Sequence, residues 1–159
     1  MSNLAVFPGT FDPLTKGHLD IIKRASSLFD KVIVAVAKSP SKHTFLTLEE
    51  RICSAKDALS ELKNVKVEGF KGLLIDYLKE KQCNVLVRGL RNATDYDYEA
   101  QLTGMYRAYL PELEIVFLQT ASEFSFISST LVREIFIHGG DISKLVPEPV
   151  FSLITSQKK

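Results

Sequence analysis

Short apolar runs alternate along this chain with stretches whose apolar residues recur every three to four positions, the signature of strands interleaved with helices. Residues 4–7 form an apolar run ended by Pro8 and Gly9, and residues 17–29 then place Leu19, Ile21, Ile22 and Leu28 at helical spacing. Residues 31–37 are β-branched and almost wholly apolar, the composition of a central parallel strand covered on both faces. A loop is expected over residues 38–46. Thr47 and Glu50 make a Thr-x-x-Glu capping box ahead of a helix expected to reach about Leu62.

The alternation continues with a strand expected over residues 65–67, a helix over 73–81, a strand over 84–87, a helix over 95–109 and a strand over 114–118. Leu102 and Met105 share one face of the fourth helix, which predicts that they belong to the core. Ser128 or Ser129 caps a further helix that stops at Gly139-Gly140, where glycine can take the left-handed conformation of a helix end, and a last helix covers residues 149–156. Strands separated by helices imply right-handed parallel crossovers. The predicted fold is therefore α/β: a doubly wound, Rossmann-like, mostly parallel sheet of five strands with helices on both faces.

Composition narrows the function classes. The chain has 159 residues, 45% of them apolar, the size and core of one domain spanning residues 1–159. A net charge of +1 leaves no global field for nucleic acid or an anionic membrane, so any phosphate-binding charge must be concentrated locally. Cys53 and Cys83 lack CxxC spacing or histidine partners, which argues against a disulfide framework or zinc site and fits a reduced cytoplasm. The start of the chain lacks the basic region and long apolar run of a secretory signal, and the strongest apolar run, residues 32–37, is too short to span a bilayer. A soluble, cytoplasmic protein is expected.

In an open parallel sheet, ligands bind outside the carboxyl ends of the strands. The segments just past the predicted strands are residues 8–12, 38–43, 69–74, 88–91 and 122–130, and they hold most of the glycines, basic side chains and clustered hydroxyls. Gly9 permits a tight turn, Thr10 offers a hydroxyl and a backbone donor, Gly17 lets phosphate approach the backbone, and His18 projects from a helix N-terminus. A histidine there could stabilise charge growing on a phosphoryl group; the plain alternative is a surface histidine ending a turn. Ser128, Ser129 and Thr130 place three hydroxyls at a helix start and could grip a triphosphate, although ordinary N-capping needs only one of them. Lys42 and Arg88 could each take a phosphate, Arg88 by a bidentate contact, whereas Lys42 alone reads better as a solvated loop charge. Asp95, Asp97 and Glu99 fall where they would stabilise a helix dipole. No Asp/Glu/His set has metal-ligand spacing, so no protein metal site is assigned and a divalent ion would arrive with a phosphate ligand.

Gly9-Thr10-Phe11-Asp12-Pro13 followed by Thr15-x-Gly17-His18, with Ile127-Ser128-Ser129-Thr130-x-Val132-Arg133 near the other end, resembles the nucleotidyltransferase superfamily. Within it, Ser39-Pro40-Ser41-Lys42, Thr47-Leu48-Glu49-Glu50-Arg51, Arg88-Gly89-Leu90-Arg91, Asp97-Tyr98-Glu99 and Pro111-Glu112-Leu113-Glu114 resemble the phosphopantetheine adenylyltransferase family over nearly the whole chain. The resemblance implies attack by the phosphate of 4′-phosphopantetheine on the α-phosphorus of ATP, giving dephospho-coenzyme A and pyrophosphate without a covalent enzyme intermediate. It implies that His18 stabilises the transition state, with Thr10 and Lys42 also at the reacting phosphates, and that Thr10, Lys42 and Arg88 hold the acceptor phosphate while Leu74 lines its pantetheine arm. It assigns to ATP, with Mg2+ accompanying it, Thr10, Phe11, His18, Gly89, Leu90, Arg91, Glu99, Phe124, Ser125, Phe126, Ile127, Ser128, Ser129 and Thr130. A homohexamer is also implied.

Three positions depart from common patterns. Thr15 replaces the first histidine of His-x-Gly-His, Phe124 stands where tryptophan is common, and Tyr106 stands where some members carry asparagine. Two other functions share these features: a transferase of the same fold using another acceptor or CTP, and a non-catalytic nucleotide-binding module.

Overall fold

The computed structural model describes residues 3–39 and 43–157. Five strands, β1 (Leu4–Gly9), β2 (Lys31–Lys38), β3 (Val65–Lys71), β4 (Val85–Leu90) and β5 (Glu114–Gln119), form one sheet in the order β3-β2-β1-β4-β5. Every pairing is parallel. The helices are α1 (Lys16–Leu28), α2 (Leu48–Ala58), α3 (Leu74–Glu80), α4 (Ala93–Tyr109), α5 (Ser129–Ile137) and α6 (Glu148–Ser156), with a 3₁₀ turn at Ser122–Phe124.

Side chains alternate across the sheet as the two-residue period of a strand requires. Ala5, Phe7, Val32, Val34 and Val36 join a core with Ile21 and Ile22 of α1, Ala55 of α2, Val132 of α5 and Val150 and Ile154 of α6. Val6, Ile33, Ala35 and Leu86 point the other way, onto Ile75, Tyr77 and Leu78 of α3. The doubly wound arrangement with helices on both faces is therefore borne out. None of its described helices is long and apolar enough to cross a membrane.

Strand order reverses between β1 and β4, which makes their carboxyl ends the switch point where a ligand crevice opens. Pro8 sharpens that opening. It has no N–H to donate to a neighbour, and the β1–β4 pairing is confined to Val6↔Leu86, whereas β1 and β2 stay in register from Leu4↔Lys31 to Gly9↔Val36.

Several boundaries differ from expectation, each for a local reason. Helix α2 ends at Ala58 instead of near Leu62, with Leu59 closing it through its N–H to the Ala55 carbonyl. Strand β3 runs on to Lys71, beyond the expected residue 67, because Gly69 pairs with Val36 and its missing Cβ leaves room for Ile52 of α2, which would otherwise lie 2.8 Å away. Strands β1 and β4 likewise continue through Gly9 and Leu90. Helix α4 begins at Ala93, capped by the Asn92 side chain, which accepts from the Asp95 N–H at 2.9 Å. Met105 is a correction: it is half exposed, at 51%, because α4 turns only a narrow stripe to the sheet.

Candidate active site

The site grows from the chain leaving β1. Phe11 adopts φ 50, a left-handed backbone that non-glycine residues seldom take, and this turns its ring inward to meet Phe7 and His18 edge-on at centroid distances of 5.5 and 5.0 Å. Gly9 is needed for that ring and not for a turn of its own: a Cβ there would sit 2.9 Å from Phe11. The tight turn expected at Gly9 falls instead at Asp12 and Pro13.

Thr15 then starts α1 with a reciprocal cap. Its hydroxyl accepts from the His18 N–H at 3.3 Å, and the His18 ring reaches back so that Nδ1 accepts from the Thr15 N–H at 3.0 Å. A backbone N–H can only donate, so Nδ1 carries a lone pair and the neutral ring has its proton on Nε2. Burial, then Arg91 and then Arg88, lower the His18 pKa from 6.5 to about 4. At neutral pH His18 is therefore an uncharged donor of fixed tautomer.

His18 borders two adjoining cavities. One, of about 350 Å³, is bounded by Gly9, Phe11, Gly17, Arg88, Gly89, Arg91, Glu99, Ile127, Ser128, Ser129 and Thr130. The other, of about 450 Å³, is bounded by Thr10, Phe11, Asp12, His43, Thr44, Ser129, Thr130 and Arg133. The histidine and the hydroxyl-rich helix start, far apart in sequence, thus share a rim.

The hydroxyls divide their work. Ser128 is the cap of α5, accepting from the Leu131 N–H at 3.1 Å, as simple N-capping predicts. Ser129 donates to the Pro13 carbonyl at 2.8 Å, which ties α5 to the loop after β1, and Thr130 accepts from Arg133. Ile127 is buried and its carbonyl lies 3.5 Å from Nη1 of Arg91. Phe124 packs against the core, Ser125 closes the 3₁₀ turn onto the Ser122 carbonyl, and Phe126 is exposed; none of these three borders either cavity. Leu90 contributes backbone, its carbonyl accepting from the Thr120 N–H at 2.8 Å.

Arg88 and Glu99 meet in a two-pronged ion pair, with Nε to Oε2 at 2.8 Å and Nη2 to Oε1 at 2.5 Å, and Nη1 of Arg88 donates to the Pro8 carbonyl at 3.2 Å. Glu99 therefore balances an arginine rather than the helix dipole. Arg91 is paired with Asp95, which also accepts its N–H at 3.0 Å. Leu74 opens α3 and packs beside Phe70 and Tyr106 on the other face of the sheet, outside both cavities. Lys42 lies outside the described residues.

Four residues that frame the site carried no assigned role in the sequence. The Asp12 carboxylate accepts from the N–H groups of Phe45 and Leu46 at 2.7 and 2.8 Å, and Arg51, 2% exposed, donates to the carbonyls of Leu46, Thr10 and Ala37. Arg133 donates to the Asp12 carbonyl at 2.7 Å, and Thr120 borders the first cavity. Arg51 had a visible signal, a charge on the apolar stripe of Leu48, Ile52, Ala55 and Leu59; Thr120 had none. Among the described residues no group of three His, Cys, Asp or Glu side chains is placed to hold a metal ion.

The chain as a whole is matched by sequence and by fold. The family model for cytidylyltransferase-like proteins matches residues 6–135. A phosphopantetheine adenylyltransferase from Tolumonas auensis is 52% identical over 99% of this chain and 96% of its own length. The chain belongs to the cytidylyltransferase-like family. A solved structure from Vibrio parahaemolyticus, assigned as a nicotinate-nucleotide adenylyltransferase, superposes with a TM-score of 0.74 at 18% identity, covering 98% of this chain and 93% of that one. At that identity the likeness shows the family's fold alone.

Proposed function

We propose that this chain transfers the adenylyl group of ATP to 4′-phosphopantetheine, releasing dephospho-coenzyme A and pyrophosphate in coenzyme A biosynthesis. The observation that carries this reading is the 52% identity, over nearly the full length of both chains, to a phosphopantetheine adenylyltransferase. The cleft supports a mechanism: His18 presents an Nε2–H between an anion-favouring helix start and two arginines.

An oxygen of the acceptor phosphate attacks the α-phosphorus, forming one P–O bond as the bond to the pyrophosphate oxygen breaks. No protein nucleophile and no proton transfer are required. His18 donates to a non-bridging α-phosphoryl oxygen, a contact that strengthens as charge accumulates there. Thr10, Phe11, His18, Gly89, Leu90, Arg91, Glu99 and residues 124–130 hold ATP, and of these Thr10, Phe11, His18, Gly89, Arg91, Glu99, Ile127, Ser128, Ser129 and Thr130 line the two cavities. Thr10, Lys42 and Arg88 hold the acceptor phosphate, and Leu74 meets the pantetheine arm. Mg2+ enters as part of the ATP substrate, held mainly by phosphate oxygens, since Asp12, Asp95 and Glu99 already have protein partners.

The chain works in the cytoplasm as one catalytic domain assembled into a homohexamer. Exposed Tyr98, Met105 and Tyr109, which fall on one side of α4, support an assembly surface. Mixing the protein with Mg-ATP and 4′-phosphopantetheine yields dephospho-coenzyme A by mass spectrometry; its absence, with turnover of another phosphorylated acceptor or of CTP, would redirect the assignment. Sedimentation equilibrium at any mass other than six chains would remove the hexamer.

A further inference from the structure

Two residues beyond His18 on α1, Asp20 turns its carboxylate to the exit of β5. Its Oδ2 accepts from the Ala121 N–H at 3.2 Å and from Nη1 of Arg24 at 3.1 Å, and the same Arg24 nitrogen donates to the Gln119 carbonyl at 2.6 Å. An acid and a base on neighbouring turns of α1 thus hold the backbone on either side of Thr120. Neither side chain borders the two cavities. Among the described residues, two hydrogen bonds reach residues 121–127 from elsewhere in the chain: the one from Ala121 to Asp20, and the one from Nη1 of Arg91 to the Ile127 carbonyl at 3.5 Å. The rest close within that stretch, from Phe124 to Ala121, from Ser125 to Ser122 and from Ile127 to Phe124. The stretch also lies against the start of α1, where a Cβ on Gly17 would stand 3.7 Å from the Phe124 carbonyl oxygen.

We infer that Asp20, with Arg24 beside it, is a positioning residue for ATP: it pins the start of this stretch to α1, so that residues 124–130 meet the nucleotide at a set distance from His18. This rests on the assignment of residues 124–130 to ATP. The far end of the stretch is fixed by α5, whose first turn is tied to the Pro13 carbonyl through Ser129. Without Asp20 the near end is left to the Thr120 N–H, which donates to the Leu90 carbonyl at 2.8 Å. A segment released at one end spends part of its time in arrangements that do not fit the ligand, and apparent affinity falls by that fraction.

The test measures binding of a non-hydrolysable ATP analogue and of 4′-phosphopantetheine by calorimetry, for the wild type, Asp20→Ala, Asp20→Asn and Arg24→Ala. Asp20→Ala is expected to weaken the ATP analogue about tenfold, as a segment only one-tenth of the time in place requires, and to leave the acceptor unchanged. In steady state the ATP KM rises more than kcat falls, and the acceptor KM holds. Asp20→Asn keeps a carbonyl oxygen for the Ala121 N–H and recovers most of the affinity. Arg24→Ala, which frees the Gln119 carbonyl, shifts the ATP analogue in the same direction by less. By NMR, the Ala121 amide exchanges with solvent faster in Asp20→Ala than in wild type and returns towards the wild-type rate in Asp20→Asn.

Unaltered ATP-analogue binding in Asp20→Ala would overturn the inference. Equal losses for both ligands would overturn it too, since they mark a general loosening of the fold. Asp20→Asn as weak as Asp20→Ala would remove the bond to Ala121 as the cause. If the ATP analogue leaves the amides of residues 124–130 unmoved in the wild type, the assignment of that segment to ATP fails, and this inference with it. That result needs no variant and is distinct from any effect of Asp20.

Discussion

Helices α1 and α4 both bring chemistry to the same cleft, yet they are held there by different forces. Helix α1 buries Gly17, Ile21, Ile22 and Ala25, starts in a reciprocal cap, and wedges His18 against Phe11. Helix α4 is longer, at 17 residues, and buries Glu99, whose grip on Arg88 is electrostatic. Apolar packing and backbone capping fix a group against many simultaneous contacts. A single ion pair fixes one through two atoms, and it weakens wherever water and salt can reach it. The transition-state donor is thus built into the core, while the arginine beside it depends on a helix that is lightly seated.

The comparison can be broken most decisively at His18. His18→Ala is expected to lower kcat about 10²–10³-fold, as loss of one preorganised donor does elsewhere, with ATP binding nearly unchanged. Steady-state kinetics beside calorimetry checks this; near-normal turnover would remove His18 from the mechanism. The packing that holds the ring should matter next. Gly9→Ala drives a methyl to 2.9 Å from the Phe11 ring and should cost about 1–3 kcal/mol in urea unfolding, since the ring is packed edge-on against Phe7 and His18.

A smaller effect separates the charges that reach His18. In the free protein its imidazole should titrate near 4 by NMR, and Arg91→Ala should raise that value more than Arg88→Ala, following the order of their influence. The sign for stability follows. Because the folded-state value lies below the unfolded 6.5, the unfolded chain takes up this proton first as pH falls. The His18 contribution is therefore flat above about pH 6.5 and destabilises progressively towards pH 4. A smaller fall in unfolding free energy between pH 6.5 and 4 in His18→Gln than in wild type isolates it.

The smallest effect is in dynamics. Amides of α4 should exchange with solvent faster than those of α1, and added salt should widen the gap. Equal protection in the two helices would mean that another copy of the chain covers the exposed face of α4.

Much of the fold was legible because central parallel strands and amphipathic helices announce themselves by period. The run at residues 31–37 and the Thr47/Glu50 box fall where expected. The errors cluster at strand ends and on α4. Residues 8–9, 68–71 and 88–90 read as loop by glycine, proline and charge, but neighbouring strands supply hydrogen bonds that extend them. Met105 reads as core by spacing, but burial depends on what faces a helix, and little faces that side of α4.

By itself, the sequence determined the period of the elements, the hydroxyl-rich start of α5 and the presence of a histidine at a helix N-terminus, because each depends on neighbours within a few residues. Only the tertiary structure decided that Phe11 turns inward, that Nδ1 of His18 is held by Thr15, and that Glu99 closes on Arg88. It also decided that Asp12 and Arg51 join loops more than 30 residues apart, with Asp12 and Phe45 separated by 33 positions. Such contacts form only after the strands have assembled, when a buried charge with no water beside it must find whatever partners the fold brings near.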